Sequence, residues 1–291
     1  MPSASQLDLS NNFIGGHYED DGYDSDTGDY VQKFVADPEG VQAIACALRV
    51  NGALTVTNLL HNQLDEASAK MLAEVAKQKG ISLCGIQRDQ TTADLSGHAL
   101  QPPDAILLAS DLSQAVVTGA LTVTNLLNEQ NQLDEASAKM LAEVAKQKGI
   151  SLCGIQRVQT TADFSNKFLK QPYAILLASD LSQAAVTGGL TSLDLSSNQL
   201  CGLDRYGRGT YTAEGITAIA DALHVNGALT ALILSYNRLE DEGVSAVCKA
   251  IQSNKETKLA FLNFERNFIG PVGANAVAAM VAVTGALTKL E

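Results

Sequence analysis

The sequence predicts an α/β repeat solenoid, in which short parallel strands alternate with helices. Three observations predict it: a tandem duplication, a strand motif with an Asn at a fixed offset, and an apolar helical face after most copies of that motif. The 26 residues from Gln63 to Arg88 recur unchanged from Gln132 to Arg157. Similarity continues beyond them, TTADLSGHALQPPDAILLASDLSQAVVTGALT (91–122) against TTADFSNKFLKQPYAILLASDLSQAAVTGGLT (160–191), so a block of about 69 residues is duplicated over 53–122 and 120–191. Alternating short strands and helices with a period near 30 residues select stacked coils, each packing only on its neighbours.

The elements follow in chain order. Leu7 and Leu9 open the first strand, with Asn12 and Ile14 completing an LxLxxNxL frame. The acidic stretch HYEDDGYDSDTGDY (17–30) then reads as a solvated loop. Glu39–Val50 places Val41, Ile44, Ala45 and Leu48 on one helical face, and Asn51–Gly52 stops it. Leu59, Asn62 and Leu64 carry the next frame, followed by a helix over Ala67–Lys77 (Met71, Leu72, Val75) that ends at Gly80. ADLSGHAL and ADFSNKFL put His98 and Lys167 in the Asn slot, and Pro102–Pro103 sits where a helix begins. NLLNEQNQL (125–133) reaches Asn131 only with two extra residues, and the copied helix stops at Gly149. Leu193, Leu195, Asn198 and Leu200 spell the frame in full, and CGLDRYGRGTY (201–211) follows as a second insertion. Further helical faces are Ile216, Ile219, Ala220 and Leu223, and Val244, Val247 and Ile251. Between and after them lie frames at Leu232, Leu234, Asn237 and Leu239, and at Leu262, Phe264, Asn267 and Ile269. Asn226–Gly227 and Gly285 supply the remaining stops.

The strand segments LTSLDLSSNQL (190–200), LTALILSYNRL (229–239) and LAFLNFERNFI (259–269) resemble a leucine-rich-repeat protein of the ribonuclease-inhibitor-like subclass. The resemblance covers nearly the whole chain as one domain of about eight repeats. It implies a horseshoe, with parallel strands on the concave face and helices on the convex face. It also implies protein binding without catalysis or cofactor. The repeats holding ISLCGIQ depart from it, carrying roughly eight extra residues before the strand. A second member of the subclass, the Ran-type GTPase-activating protein, is the alternative reading, although no acidic tail follows. A structural or truncated array from a larger receptor-like protein is the third. The chain starts inside one strand frame and stops inside another, LTKLE (287–291), so both ends are expected to lack capping repeats. Uncapped ends would give a route to self-association.

Composition narrows the function classes. Twenty Lys and Arg against 32 Asp and Glu leave a net charge of −12, which opposes unaided binding to a phosphate backbone. No apolar run is long enough to span a bilayer. Five scattered Cys (Cys46, Cys84, Cys153, Cys201, Cys248) with no CxxC pair read as reduced thiols in the cytoplasm, with no metal site. Glu19, Asp20, Asp21, Asp24, Asp26 and Asp29 are dense enough to attract Ca²⁺, but their spacing fails the EF-hand template. No G-x-S-x-G and no G-x-x-x-x-G-K-[ST] occurs, and the four His are far apart.

Alternation along each strand assigns the concave face. One row reads Asp8, Asn58, Asp94, Asn125, Asp163, Asp194, Ile233, Asn263, and the next includes Ser96, Ser165, Ser196 and Glu265. Tyr236 and Arg266 stand in a third row. Asp94, Asp163, Asp194, Ser96, Ser165, Ser196, Tyr236, Glu265 and Arg266 are therefore the expected partner-binding residues. Their acidity suits a basic or polar protein partner. Asn12, Asn62, Asn131, Asn198, Asn237 and Asn267 are expected to form a structural ladder between coils.

Overall fold

The computed structural model describes residues 5–23 and 30–291. They form two compact units. The first runs to Gln90 and adds Ala99–Leu121, and the second takes Thr91–His98 and Thr122–Glu291.

In the first unit β1 (Gln6–Asp8) precedes an antiparallel hairpin, β2 (Gly16–Tyr23) and β3 (Tyr30–Ala36). Then come α1 (Glu39–Val50), β4 (Val56–Asn58), α2 (Glu66–Lys79), α3 (Pro102–Ser113) and the short α4 (Ala115–Thr118). β1 pairs parallel with β4, Asp8 opposite Asn58. The strand pair corrects the loop reading for 17–23 and Tyr30. Tyr18 lies directly opposite Phe34, their rings 5.4 Å apart edge to face, and Phe13 packs on Tyr18 at 5.8 Å. That aromatic cluster holds the strand pair despite its acidic residues. Asp24, Asp26 and Asp29 lie outside the described residues. α2 starts at Asp65, whose carboxylate accepts the Ser68 amide at 2.7 Å, and ends at Gly80 in the left-handed region (φ 67°).

The extra residues of the long repeats are a strand-like segment. The Thr57 amide donates to Ser82 O at 2.7 Å, Leu59 to Leu83 O at 2.8 Å, and Ser82 to Thr55 O at 3.0 Å, so 82–84 continues the sheet beside β4. Its outer edge is closed by a side chain. Buried Asp111 on α3 accepts the Ser82 hydroxyl at 2.7 Å and the amides of Leu83 (2.8 Å) and Cys84 (3.0 Å). Burial pushes this carboxyl up to about 6, against the lowering effect of those donors.

The second unit holds β5 (Thr92–Asp94), β6 (Val123–Asn125), α5 (Glu135–Lys148), β7 (Thr161–Asp163), α6 (Gln171–Leu181), α7 (Ala184–Thr187) and β8 (Ser192–Asp194). It continues with α8 (Glu214–Val225), β9 (Ala231–Ile233), α9 (Glu240–Ser253), β10 (Phe261–Asn263), α10 (Pro271–Val281) and β11 (Lys289–Leu290). β5 pairs with β6, and β7 to β11 form one parallel five-stranded sheet in sequence order. The longer helices pack successively, α5 on α6, α6 on α8, α8 on α9 and α9 on α10. Leucines at matching strand positions (Leu193, Leu195, Leu232, Leu234, Leu262) are fully buried between the strands and these helices.

The copied long repeat behaves as its twin. Residues 151–153 extend the sheet beyond β6, with the Thr124 amide on Ser151 O at 2.7 Å. Buried Asp180 accepts the Ser151 hydroxyl (2.7 Å) and the amides of Leu152 (2.8 Å) and Cys153 (3.1 Å), and burial again pushes the carboxyl up to about 6. Facing that break, the Gln159 amide donates to Thr161 O of β7 at 2.7 Å. Side chains therefore satisfy backbone groups on both sides of the sheet interruption, which unpaired edge strands require.

Candidate interaction surface

Several of the short parallel strands end on a polar residue that caps the strand's own exit. The Asp94 carboxylate accepts the Ser96 amide at 3.0 Å, Asp163 that of Ser165 at 2.9 Å, and Asp194 that of Ser196 at 2.8 Å. Asn58, Asn125 and Asn263 do the same toward Leu60 (3.3 Å), Leu127 (3.2 Å) and Glu265 (2.8 Å). These are Asx turns, in which a short polar side chain replaces a missing backbone partner. The Ser96 hydroxyl and amide hold Asp94 below the ordinary carboxylate range, and those of Ser165 do so for Asp163. Ser96, Ser165 and Ser196 are half-buried beside them.

Pairing sets which carboxylates meet. Asp163 of β7 stands in register with Asp194 of β8, and Asp194 with Ile233 of β9. Asp94 of β5 is opposite Asn125 of β6, whose amide donates to it at 3.3 Å. Asp94 thus belongs to a different sheet from the Asp163–Asp194 pair. Where the sheet breaks after β6, a recess of about 540 Å³ is lined by Ser96, Asn125, Asn128, Gly154, Asp163 and Lys167.

The residue before the Asn slot is left-handed at Asn11, His61, Asn166 (before Lys167), Ser197, Tyr236 and Arg266, at φ 53–60°. Tyr236 and Arg266 hold that slot in successive coils, and the Tyr236 amide donates to Glu265 O at 2.9 Å. Both side chains are exposed, and Arg266 makes a loose ion pair with Glu265 at 3.9 Å.

The anchor Asn side chains tie coils together. Asn198 donates to its own Leu195 O (2.9 Å) and to Phe164 O of the coil before (2.8 Å), and accepts the amides of Lys167 and Leu169. Asn237 reaches Leu234 O and Leu195 O, and Asn267 reaches Phe264 O and Leu234 O. Asn62 reaches Leu59 O and Leu9 O, and Asn131 reaches Leu126 O and Leu95 O. Asn12 is exposed and bonds only within its own coil, to Leu9 O and Ser10 O. His98 and Lys167 take the Asn slot in coils that begin a sheet, those of β5 and β7. No paired strand precedes them there, so an Asn would reach only carbonyls of its own coil, as Asn12 does.

Sequence reasoning missed two groups. Asp111 and Asp180 lie inside apolar helical runs, ILLASDL in both copies, where spacing assigns them no role. The arginines of 201–211 read as a mildly basic loop, with no sign of what they meet in space.

A family model for the leucine-rich repeat matches residues 228–248. A comparison with curated proteins finds no match. Among solved structures, leiomodin-1 actin-binding site 2 aligns at 18% identity and a TM-score of 0.38, covering 51% of this chain and 75% of that one. The tropomodulin C-terminal domain of Caenorhabditis elegans aligns at 14% identity and 0.33, covering 62% and 93%. The internalin InlF of Listeria monocytogenes aligns at 16% and 0.26, covering 84% and 62%. At these scores the alignments transfer no partner. The parallel strand–helix coils, their buried leucines and Asn bonds, and the match at 228–248 make the fold an α/β leucine-rich-repeat solenoid.

Proposed function

We propose that this chain is a non-catalytic, cytoplasmic protein-binding module whose strand ends receive a basic or polar segment of a partner. One observation carries the reading. Asp163 and Asp194 stand directly opposite each other on adjacent strands, and neither forms an ion pair among the described residues. Like charges in register oppose sheet pairing, so placing a second negative charge here costs the fold something a neutral turn residue would not. An Asn would close the same turn, as Asn58, Asn125 and Asn263 do. A partner's Lys or Arg supplies the missing charge and gains from the steering field of a −12 chain. Asp94, with Ser96, Ser165 and Ser196, extends the polar rows, and Tyr236, Glu265 and Arg266 add a mixed anchor region.

The test uses Asp94→Asn, Asp163→Asn and Asp194→Asn together. Asn keeps the Asx turn and removes only charge. A partner captured from cell lysate by the wild-type chain should be lost by the triple variant, with the difference largest at low salt, where the removed charges are least screened. Equal capture by both would move the site elsewhere.

A further inference from the structure

We propose that the loop 202–209 and the two coils after it form a second, cationic aromatic patch that binds an acidic polypeptide segment. It is centred on the inserted loop and not on the strand-end carboxylates, is opposite to them in charge, and takes Tyr236 and Arg266 of the mixed region as its edge.

The loop is built. The Asp204 carboxylate accepts the amides of Tyr206 (2.8 Å) and Arg208 (2.9 Å) and the Arg208 guanidinium (2.8 Å). Its own amide donates to Arg208 O at 3.0 Å, and Leu203 bridges Gly209. Gly207 and Gly209 take φ of 81° and 122°, which side chains strongly disfavour. The next coil then fixes the loop in place, because the Arg238 guanidinium donates to Arg205 O at 2.8 Å.

The outcome is a cluster of stacked arginines and aromatic rings. Arg205 and Arg208 lie 4.7 and 5.0 Å from the Tyr206 ring centre, and Arg238 lies 4.4 Å from that of Phe268. Tyr206 is 64% exposed, Phe268 63% and Tyr236 51%. Arg266 follows Tyr236 in the equivalent slot of the next coil. The fold does not call for these side chains. The slots of Tyr236 and Arg266 hold His61 in one coil and Asn11, Asn166 and Ser197 in three others, the last three being small polar residues. Tyr, Arg and Phe at φ 51–59° carry a conformational cost without covering any core.

Charge selects the occupant. Four of the chain's 20 basic residues gather here, on a protein of net charge −12. Arg208 pairs with half-buried Asp204 and Arg266 with exposed Glu265, while Arg205 and Arg238 make no ion pair among the described residues. Guanidinium forks stacked on rings match carboxylates in two-point fashion, and Tyr with Arg is the usual composition of a binding hot spot. A long phosphate backbone would carry its charge past the four arginines onto neighbouring Glu240, Glu242 and Glu265, whereas a short acidic segment need meet only the arginines. A short acidic segment with an apolar side chain can seat carboxylates on the arginines and its apolar group against Phe268.

The experiment is fluorescence anisotropy with a labelled peptide of Glu-Gly repeats around one Phe, run beside a labelled deoxythymidine oligonucleotide of equal charge. The proteins are wild type, Arg205→Glu/Arg266→Glu, Tyr206→Ser and the triple Asp→Asn variant, each first checked for an unchanged circular-dichroism spectrum. Neither Arg205 nor Arg266 donates the bond that seats the loop. The expected results are peptide binding that weakens with salt, about tenfold loss in the Arg double variant, a smaller loss in Tyr206→Ser, and no loss in the triple Asp variant. No peptide binding to wild type, equal binding by the Arg double variant, loss in the triple Asp variant, or tighter binding of the oligonucleotide would each overturn the proposal.

Discussion

Asp111 and Asp180 do work that a conventional edge strand leaves to its neighbour. Each takes one hydroxyl and two amides of the segment it closes, yet burial still pushes it up to about 6. A folded value above the ordinary carboxylate range favours the protonated form. The stabilisation that follows is complete below about pH 4 and is lost as pH rises through about 6. Asp111→Asn/Asp180→Asn removes this dependence. In urea titrations the variant should gain on wild type by up to about 3 kcal/mol per site between about pH 4 and pH 8. A constant offset across that range would show that the carboxyls are ionised in the fold. The strand-end carboxylates follow the opposite sign. Asp94 and Asp163 are held low by their serines, so their contribution is present above the ordinary range and lost as pH falls below it. Replacing Asp94, Asp163 and Asp194 by Ala should lower Tm, whereas Asn at the same positions should leave it close to wild type, because only Asn keeps the turn. Equal melting of the Ala and Asn variants would remove the Asx turn from the account. None of this was legible from spacing alone. An Asp inside an apolar helix looks like a surface residue until the segment it caps is placed beside it.

At the scale of the element, the LxLxxN frame carried most of the fold. It marked the three-residue strands and the Asn positions, because one short motif must satisfy both the core and the coil-to-coil bonds. The strands at 82–84 and 151–153 escaped it. ISLCGI has an apolar run but no Asn, and its outer amides go to an Asp about 28 residues later. The hairpin Gly16–Ala36 escaped for a different reason: its carboxylates outnumber the aromatic pair that holds it. The ladder has measurable weak points. Asn62 and Asn237 keep their carbonyl oxygens buried without a partner among the described residues, and both follow a coil that carries an insertion. Asn237→Ala should still cost about 2–3 kcal/mol, since two buried carbonyls lose their donor. Lys167→Asn, at the start of a sheet, should change stability by no more than about 0.5 kcal/mol. Chemical denaturation of the two variants checks both numbers. A large gain from Lys167→Asn would mean that the ladder runs through the sheet break.

For the molecule as a whole, charge is divided by surface. Carboxylates line the strand ends of β5, β7 and β8, exposed at Asp94 and Asp163 and half-buried at Asp194, while arginines gather on the loop 202–209 and the coils after it. The acidic rows were legible, since alternation within a strand decides which residues share a face. The basic cluster was not, because Arg205, Arg208, Arg238 and Arg266 come together only when the inserted loop folds onto the next coil. Among the described residues no helix is long and apolar enough to cross a membrane. The central claim is that the strand-end carboxylates bind protein by position and not merely by bulk charge. The most direct measurement is the salt-dependent affinity of a captured partner for three proteins. They are wild type, Asp94→Asn/Asp163→Asn/Asp194→Asn, and a charge-matched control, Asp89→Asn/Asp221→Asn/Glu256→Gln, altered at exposed positions away from the strand ends. The account predicts about tenfold weaker binding and a shallower salt dependence for the strand-end variant alone. Equal weakening by both triple variants, or by neither, would contradict it.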